Sequence, residues 1–401
     1  MYDVVIVGAG ITGATLAERC ATQGWNVCVI DKRDHIGGNV YDYVDPESGI
    51  RVSKYGAHIF HTNDEGVWDY IQRFATWKRW DHRVLARLPT STDNTMFAPI
   101  PVNRNTINAV KNLNLQDDAE ASAWLAKEVI TGPITNSRES ALSRVGPDLY
   151  EKMFRPYTVK QWAKDPAELD ASVLARIPVR TNTDDRYFTD KYQVLPENGY
   201  TAFVERMLDS PRITVRLNTD YEDVKSLPCK HLIYTGPIDA YFKTAGLPPL
   251  EYRSIDFQWE RLPTSGYYQP CSVVNYPSMD VNYTRIVEYK HFLNQSSHQT
   301  LIAKEVTTDV GEPYYPVPNK ANQALYEQYK ALAAGEASHV HFIGRLASYK
   351  YFNMDQAIRC ALDYFEAHFC CRSEDTKPRE EGVQGPNPTS DPQTPPRTHT
   401  Q

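Results

Sequence analysis

A chain of 401 residues with 41% apolar content has room for roughly two to three domains with real cores, and its formal charge of −7 argues against a general nucleic-acid binder. No run of about 18 apolar residues occurs, so no membrane-spanning helix is expected. Seven scattered cysteines, without a CxxC pair or His/Cys ligand spacing, read as reduced thiols and no metal; together with a strand that starts at Tyr2, they lead to the expectation of a soluble cytoplasmic protein.

Tyr2 to Val7 is an apolar strand running into Gly8-Ala-Gly10-Ile-Thr-Gly13 and a helix, after which a short strand from Asn26 to Ile30 ends on Asp31. This order predicts a βαβ unit. Its glycines allow a tight turn, its helix N-terminus takes a pyrophosphate, and Asp31, eighteen residues past Gly13, takes a ribose hydroxyl. The ligand implied is a dinucleotide. Next, Asp31-Lys32-Arg33-Asp-His-Ile-Gly37-Gly38-Asn39 supplies a cation and a Gly pair whose amides can meet phosphate oxygens. In this succession the chain resembles FAD-binding proteins of the glutathione-reductase type, and the resemblance implies FAD rather than NAD.

Tyr55-Gly-Ala-His58-Ile-Phe-His61-Thr62-Asn63 forms a turn leading into a helix that starts at Thr62 or Asn63, with Val67, Ile71 and Phe74 as its apolar stripe. From about Val102 to Trp162 the pattern is mostly helical: Asp117 to Ile130, Arg138 to Arg144, a break at Gly146-Pro147, then Asp148 to Phe154. It closes on Arg155-Pro-Tyr157-Thr-Val-Lys160-Gln-Trp162, either a packing cluster or a ligand wall. Leu169 to Tyr200 is polar and irregular, as lids and binding loops are, and Arg176, Arg180 and Arg186 lie on it. Solvated charges are the commoner fate of such arginines.

A helix opens at Gly199, and His231 to Tyr234 is a buried strand closing on Thr235-Gly236. Between Tyr252 and Val317 the period becomes two. Ile255, Phe257 and Trp259 alternate with polar residues, and further strand-like runs are Cys271 to Tyr276, Tyr283 to Phe292 and Gln299 to Val306. A helix from Asn322 to Ala333, a strand from Val340 to Ile343 and a helix from Met354 to about Phe369 return the chain to the first sheet. The residues beyond Cys371 hold six prolines and one aliphatic residue, so a disordered tail is expected.

The expected fold is α/β. A Rossmann-like FAD-binding domain is built from 1–80, 200–245 and 335–369. A helical domain with a substrate wall spans 81–170, a mobile substrate loop 171–199, an antiparallel sheet domain 246–334, and the tail 372–401.

Taken together, the Tyr55–Asn63 turn, Tyr157-Thr-Val-Lys-Gln-Trp162, Arg176-Ile-Pro-Val-Arg180, Tyr187-Phe188, Tyr234-Thr-Gly-Pro-Ile-Asp239, Leu250-Glu-Tyr-Arg253, Tyr283-Thr-Arg285, Glu312-Pro-Tyr-Tyr315-Pro and Gly344-Arg345-Leu-Ala-Ser-Tyr-Lys-Tyr351 resemble bacterial UDP-galactopyranose mutases from residue 1 to about 369. The resemblance implies a flavoenzyme that interconverts UDP-galactopyranose and UDP-galactofuranose without net redox. It implies activity only with reduced FAD, through a covalent adduct of flavin N5 and the sugar, in a homodimer. Carried over by motif, Arg176 and Arg285 grip the substrate pyrophosphate, with hydroxyls from Tyr187, Tyr315 and Tyr351. Tyr157 stacks the uracil and Trp162 lies near the sugar, while His82, Phe154, Arg253 and Asn353 complete the substrate wall. His58 sits against the flavin and Arg345 meets the FAD pyrophosphate. Gly8, Gly10, Gly13, Asp31, Lys32, Arg33, Gly38, Asn39, Gly236 and Asp355 complete the cofactor site.

Met153, Pro156 and Asn353 depart from the family pattern, which leaves UDP-N-acetylgalactosamine or a dTDP-sugar as alternative substrates. His61 belongs with galactose-type members. From other classes, an FAD oxidase or dehydrogenase and a flavin-free binding protein like the GDP-dissociation inhibitors remain. No second GxGxxG supports the first, and the intact glycine and acid motifs oppose the second.

Overall fold

The architecture is that of a computed structural model, which describes residues 1–89 and 95–370. The expected tail lies outside the described residues. Five strands form a parallel sheet in the order Ile213–Arg216, Val27–Ile30, Tyr2–Val7, Cys229–Tyr234 and Val340–Phe342. Its central strands are apolar runs because both faces are covered. On one face lies the helix Ile11–Thr22, whose Ala14, Ala17 and Ala21 allow close approach. It packs against the helices Gly199–Leu208 and Met354–His368 through Phe203, Met207, Ile358, Ala361 and Phe365. Sequence-distant pieces thus close one sheet.

A second, seven-stranded sheet runs Tyr315–Pro316, Tyr252–Leu262, Thr300–Thr308, Arg285–Glu288, Val273–Asn275, Val84–Pro89 and Thr95–Ile100. All its pairings are antiparallel except that of Val273–Asn275 with Val84–Pro89. Segment 81–170, expected to be helical, therefore opens with a hairpin that forms the edge of this sheet. Its alternation, with Val84, Ala86 and Leu88 buried and Leu85 and Arg87 half-buried, is the period-two signal of a half-covered strand. The helices follow: Arg104–Lys111, Asp118–Glu128 capped by Asp117, Ser137–Leu149, and Arg155–Trp162. Gly146, at φ 75° and ψ 173°, breaks the third of these as expected, and a π-helical turn, Tyr150–Phe154, joins it to the fourth.

Three local expectations change. The helix expected from Thr62 or Asn63 begins at Glu65, because the Asp64 carboxylate accepts the Val67 N–H (3.0 Å), while Phe60–Thr62 pairs as a strand with Tyr192–Pro196. That second strand lies inside the segment expected to be irregular and also pairs with Trp77–Arg79. The run Tyr283 to Phe292 is a strand only over Arg285–Glu288. Beyond it the chain coils into a 3₁₀ turn, where the inward-turned Lys290 ammonium donates to the carbonyls of Ser265 and Ser297 (2.7 Å each). By contacts, Met1–Phe369 is one compact unit. No helix among the described residues is long and apolar enough to cross a membrane.

Candidate active site

One cavity of about 1370 Å³ runs from the first βα turn to the face of the seven-stranded sheet. That exceeds the ~300–1,000 Å³ usual for a single small-molecule site. At one end lies the glycine turn. A Cβ on Gly13 would run into the Gly8 carbonyl, and one on Gly38 would lie 2.9 Å from the Gly10 Cα, so the turn, the helix and the Gly37-Gly38 pair sit too close for side chains. Asp31 closes the turn, its carboxylate accepting the N–H groups of Ala9 (2.8 Å) and Arg33 (3.0 Å). The Arg33 guanidinium lies over Tyr55 and donates to Asn39 Oδ1, and Lys32 pairs with Glu312 at 2.8 Å. Just past the neighbouring strand, Thr235, beside Gly236, donates from its hydroxyl to the Val7 carbonyl. Gly8, Gly10, Gly13, Asp31, Lys32, Arg33, Gly38, Asn39 and Gly236 all line this end, and the wall also includes Tyr221, Glu222 and Lys243, which the sequence did not single out.

Midway stand two neutral imidazoles. His58 Nδ1 lies 2.8 Å from the Gly56 carbonyl, so that nitrogen carries the hydrogen and Nε2 keeps its lone pair. Burial, aided by Arg345 and Arg285 and opposed by the Gly56 bond, pushes His58 down to about 4. Burial and Arg285 take His82 to about 3. His61 pairs with Asp190 at 3.0 Å and stacks on Phe188 at 3.7 Å. The N-terminus of the last helix, through Asn353, Met354 and Ala357, completes this part of the wall.

At the far end three guanidiniums converge on two stacked phenols, Tyr315 and Tyr351, whose rings are 5.4 Å apart. Arg176 lies 4.4 Å from the Tyr351 ring centre, and Arg345 lies 4.6 Å from that ring and 4.9 Å from the Tyr315 ring. Arg285 Nε donates to Glu305 Oε2 at 2.6 Å. Burial pushes the Tyr351 phenol up, but Arg176, Arg345 and Arg285 together outweigh it and hold it at about 8. Tyr157 and Tyr315, where burial leads, are pushed up to about 12. Phe154, Tyr157 and Tyr187 line the same chamber, with Met153, Arg144 and Asn275.

Three expected residues do not line the cavity. Trp162 is five positions from Tyr157 on one helix, about 140° around the axis, and so faces the core, edge-on to Tyr315. Arg253 is buried and donates from Nε to the Gln161 carbonyl (3.3 Å), bracing that helix's carboxyl end. Asp355 does not line the cavity; it lines a shallow surface pocket with Asp64 and Arg359. Two partners were missed. Glu305 is a lone acid in the apolar run Thr300–Thr308, a readable signal; Arg144, which donates to the carbonyls of Leu174, Ala175 and Ile177, carries no local signal at all.

FAD fits the cradle on one observation. Arg345 Nε and Nη2 are buried and make no hydrogen bond among the described residues, and a Cβ on the preceding Gly344 would lie 3.3 Å from the side chain of Thr12 at the N-terminus of the first helix, where a pyrophosphate would sit.

A parallel sheet whose first βα turn carries this glycine and acid cradle defines a Rossmann-like dinucleotide-binding protein, and residues 6–74 match the profile of NAD(P)-binding Rossmann-like domains. The chain belongs to the UDP-galactopyranose mutase family, whose profile matches residues 152–351. It is 41% identical over 367 residues to a probable UDP-galactopyranose mutase of Klebsiella pneumoniae, covering 90% of this chain and 93% of that one. It is 37% identical to the dTDP-fucopyranose mutase of Escherichia coli, over 91% and 99% of the two chains. Its fold matches a crystal structure of reduced UDP-galactopyranose mutase with a TM-score of 0.71 at 15% identity, over 91% of this chain and 95% of that one.

Proposed function

We propose that this protein is a flavin-dependent, non-redox isomerase interconverting UDP-galactopyranose and UDP-galactofuranose. The observation that carries the reading is the far chamber, where Arg176, Arg285 and Arg345 meet with Glu305 as the carboxylate bonded among them. Such a surplus of guanidiniums over carboxylates on one cavity wall calls for an anionic ligand, and planar guanidinium forks match pyrophosphate oxygens. As the bond from the anomeric carbon to the UDP oxygen breaks, negative charge grows on the pyrophosphate. Arg176 and Arg285 hold that charge, and Tyr187, Tyr315 and Tyr351 donate O–H groups to it. Tyr157 stacks the uracil, Phe154 and His82 shape the wall, and Asn353 begins the helix beside the sugar. Arg345 serves the cofactor's pyrophosphate, and neutral His58 rests against the ring system. FAD, when bound and reduced, supplies the nucleophilic nitrogen for the anomeric carbon.

The test is to incubate dithionite-reduced, flavin-loaded protein with UDP-galactofuranose and follow its conversion by HPLC. Conversion is expected with reduced protein only, and equal turnover by air-oxidised protein would overturn the chemistry. A second reading, a dTDP-sugar as substrate, is favoured by the 37% identity to the dTDP-fucopyranose mutase and by the compliant thioether of Met153 in the wall. Comparing kcat/KM for the two nucleotide series on one sample decides between them.

A further inference from the structure

Lys160 lies on the helix Arg155–Trp162, which carries Tyr157 on the cavity wall, yet Lys160 itself does not face the cavity. Its ammonium is surrounded by main-chain carbonyls: Nζ lies 2.5 Å from that of Tyr276, 2.7 Å from Ser278, 2.9 Å from Tyr283 and 3.3 Å from Val281. All four belong to the connection between the strands Val273–Asn275 and Arg285–Glu288. Those strands pair with Asn275 opposite Arg285, and both residues line the far chamber. An ammonium has three N–H groups, so four acceptors at these distances form a cage closed around a small cation rather than a set of single bonds. None of the bonds goes to a carboxylate. The main chain of Lys160 is tied as well, since the Thr307 hydroxyl donates to its carbonyl; Thr307 lies two residues beyond Glu305, the partner of Arg285.

We propose that Lys160 is a positioning residue: its ammonium is the internal cation of a carbonyl cage that folds the 276–284 connection and so fixes Asn275 and Arg285 opposite Tyr157. Four carbonyls directed at one point repel each other unless a donor-rich cation stands there. The side chain that supplies it comes from the very helix that presents the aromatic wall. One residue therefore sets the spacing between the two walls of the chamber. The inference goes beyond the mutase reading by assigning a role outside the cavity, and it rests on that reading only where turnover is measured.

The test uses flavin-loaded protein. In Lys160→Met the stem remains and the donors are gone. Normal flavin content and a retained fold with a lowered melting temperature are expected, with faster amide exchange over 276–284 and kcat/KM lowered by at least about tenfold. In Lys160→Ala the same losses should be relieved, saturably and several-fold, by n-propylammonium, which restores the missing stem and its three donors. The n-propyltrimethylammonium ion has the same charge without N–H groups and should restore nothing. Exchange is read without turnover, so failure of the mutase reading leaves this arm standing. The proposal is overturned if the 276–284 amides stay protected in Lys160→Met, or if both ammonium ions rescue equally. It is also overturned if both variants lose the whole fold, which would make Lys160 a general stability residue.

Discussion

Arg285 and Glu305 stand opposite each other on paired strands, and the register that joins them is a property of the sheet, not of either local sequence. On the proposed role of Arg285, its replacement by Ala removes a charge-assisted contact of about 1.5–3 kcal/mol to the substrate pyrophosphate, and it leaves the Glu305 carboxylate buried without its partner. A fall in kcat/KM of about tenfold to a hundredfold is expected with flavin content unchanged, and a variant retaining full activity would remove Arg285 from the site. Tyr351 makes a prediction about pH. Its phenol, held at about 8, is a donor below that pH; above it, the phenolate can neither donate nor sit beside a pyrophosphate without repulsion. kcat/KM should therefore fall as pH rises through about 8, and Tyr351→Phe should be slower but lack this limb. An alkaline limb that survives in the Phe variant belongs to another group. At this scale what was legible is that the arginines and tyrosines lining the cavity stand in recognisable motifs. Trp162 and Asp355 stand in motifs too, but motif position does not carry the 100° step of the helix, and neither lines the cavity.

The stretch from Leu169 to Tyr200 shows what is lost when a loop is read by its composition. Arg180, grouped with solvated charges, instead donates from Nη1 to the carbonyls of Asp184 (2.7 Å) and Arg186, folding the segment back on itself. Its own N–H donates to the Val102 carbonyl, and the Tyr187 N–H donates to that of His82 (2.7 Å), so the middle of the stretch, 180–187, is tied at both its ends to neighbouring segments. Arg144 does the same from outside, capping the carbonyls that flank Arg176. Arg180→Ala should therefore act through the segment. Each carbonyl left without its donor costs on the order of 1–3 kcal/mol locally, so cleavage between 180 and 190 by a protease should quicken and activity should fall with it. If Arg180→Ala is as active and as protease-resistant as the parent, the guanidinium staple is dispensable. None of this is visible in sequence, because every acceptor is a main-chain oxygen. The paired strands Val84–Pro89 and Thr95–Ile100 were hidden for a related reason: a few alternating residues ahead of a long helical stretch were absorbed into the helical reading.

For the molecule as a whole, the division into a parallel sheet and a mainly antiparallel one was legible, since continuous apolar runs and period-two runs differ in what each face must bury. What could not be read is that the two sheets share a single cavity. Gly10 and Arg285 are remote in sequence, and the wall between them is made by segments that supply one or two residues each, such as His58, Tyr157, Arg345 and Asn353. A cavity of this extent has no partition between its glycine-turn end and its arginine end, so the floor of the second is formed by whatever fills the first.

The surplus of guanidiniums also bears on how long the polypeptide survives. Three guanidiniums facing one carboxylate repel one another until an anion arrives, so the unliganded protein stands at a higher free energy than its packing alone would give. Anything that binds only the folded form adds RT ln(1 + [L]/Kd), about 2.7 kcal/mol at a hundred times Kd, and here part of that gain is relief of repulsion. The melting temperature should rise steeply on adding UDP to the flavin-loaded protein. Arg176→Leu should narrow the gap between the liganded and unliganded states, whereas an unchanged gap would show that the repulsion is not felt. Where proteases sample opened chains, the abundance of this protein then follows the supply of its nucleotide ligands: starvation for the nucleotide sugar would thin the enzyme pool before any change in its synthesis.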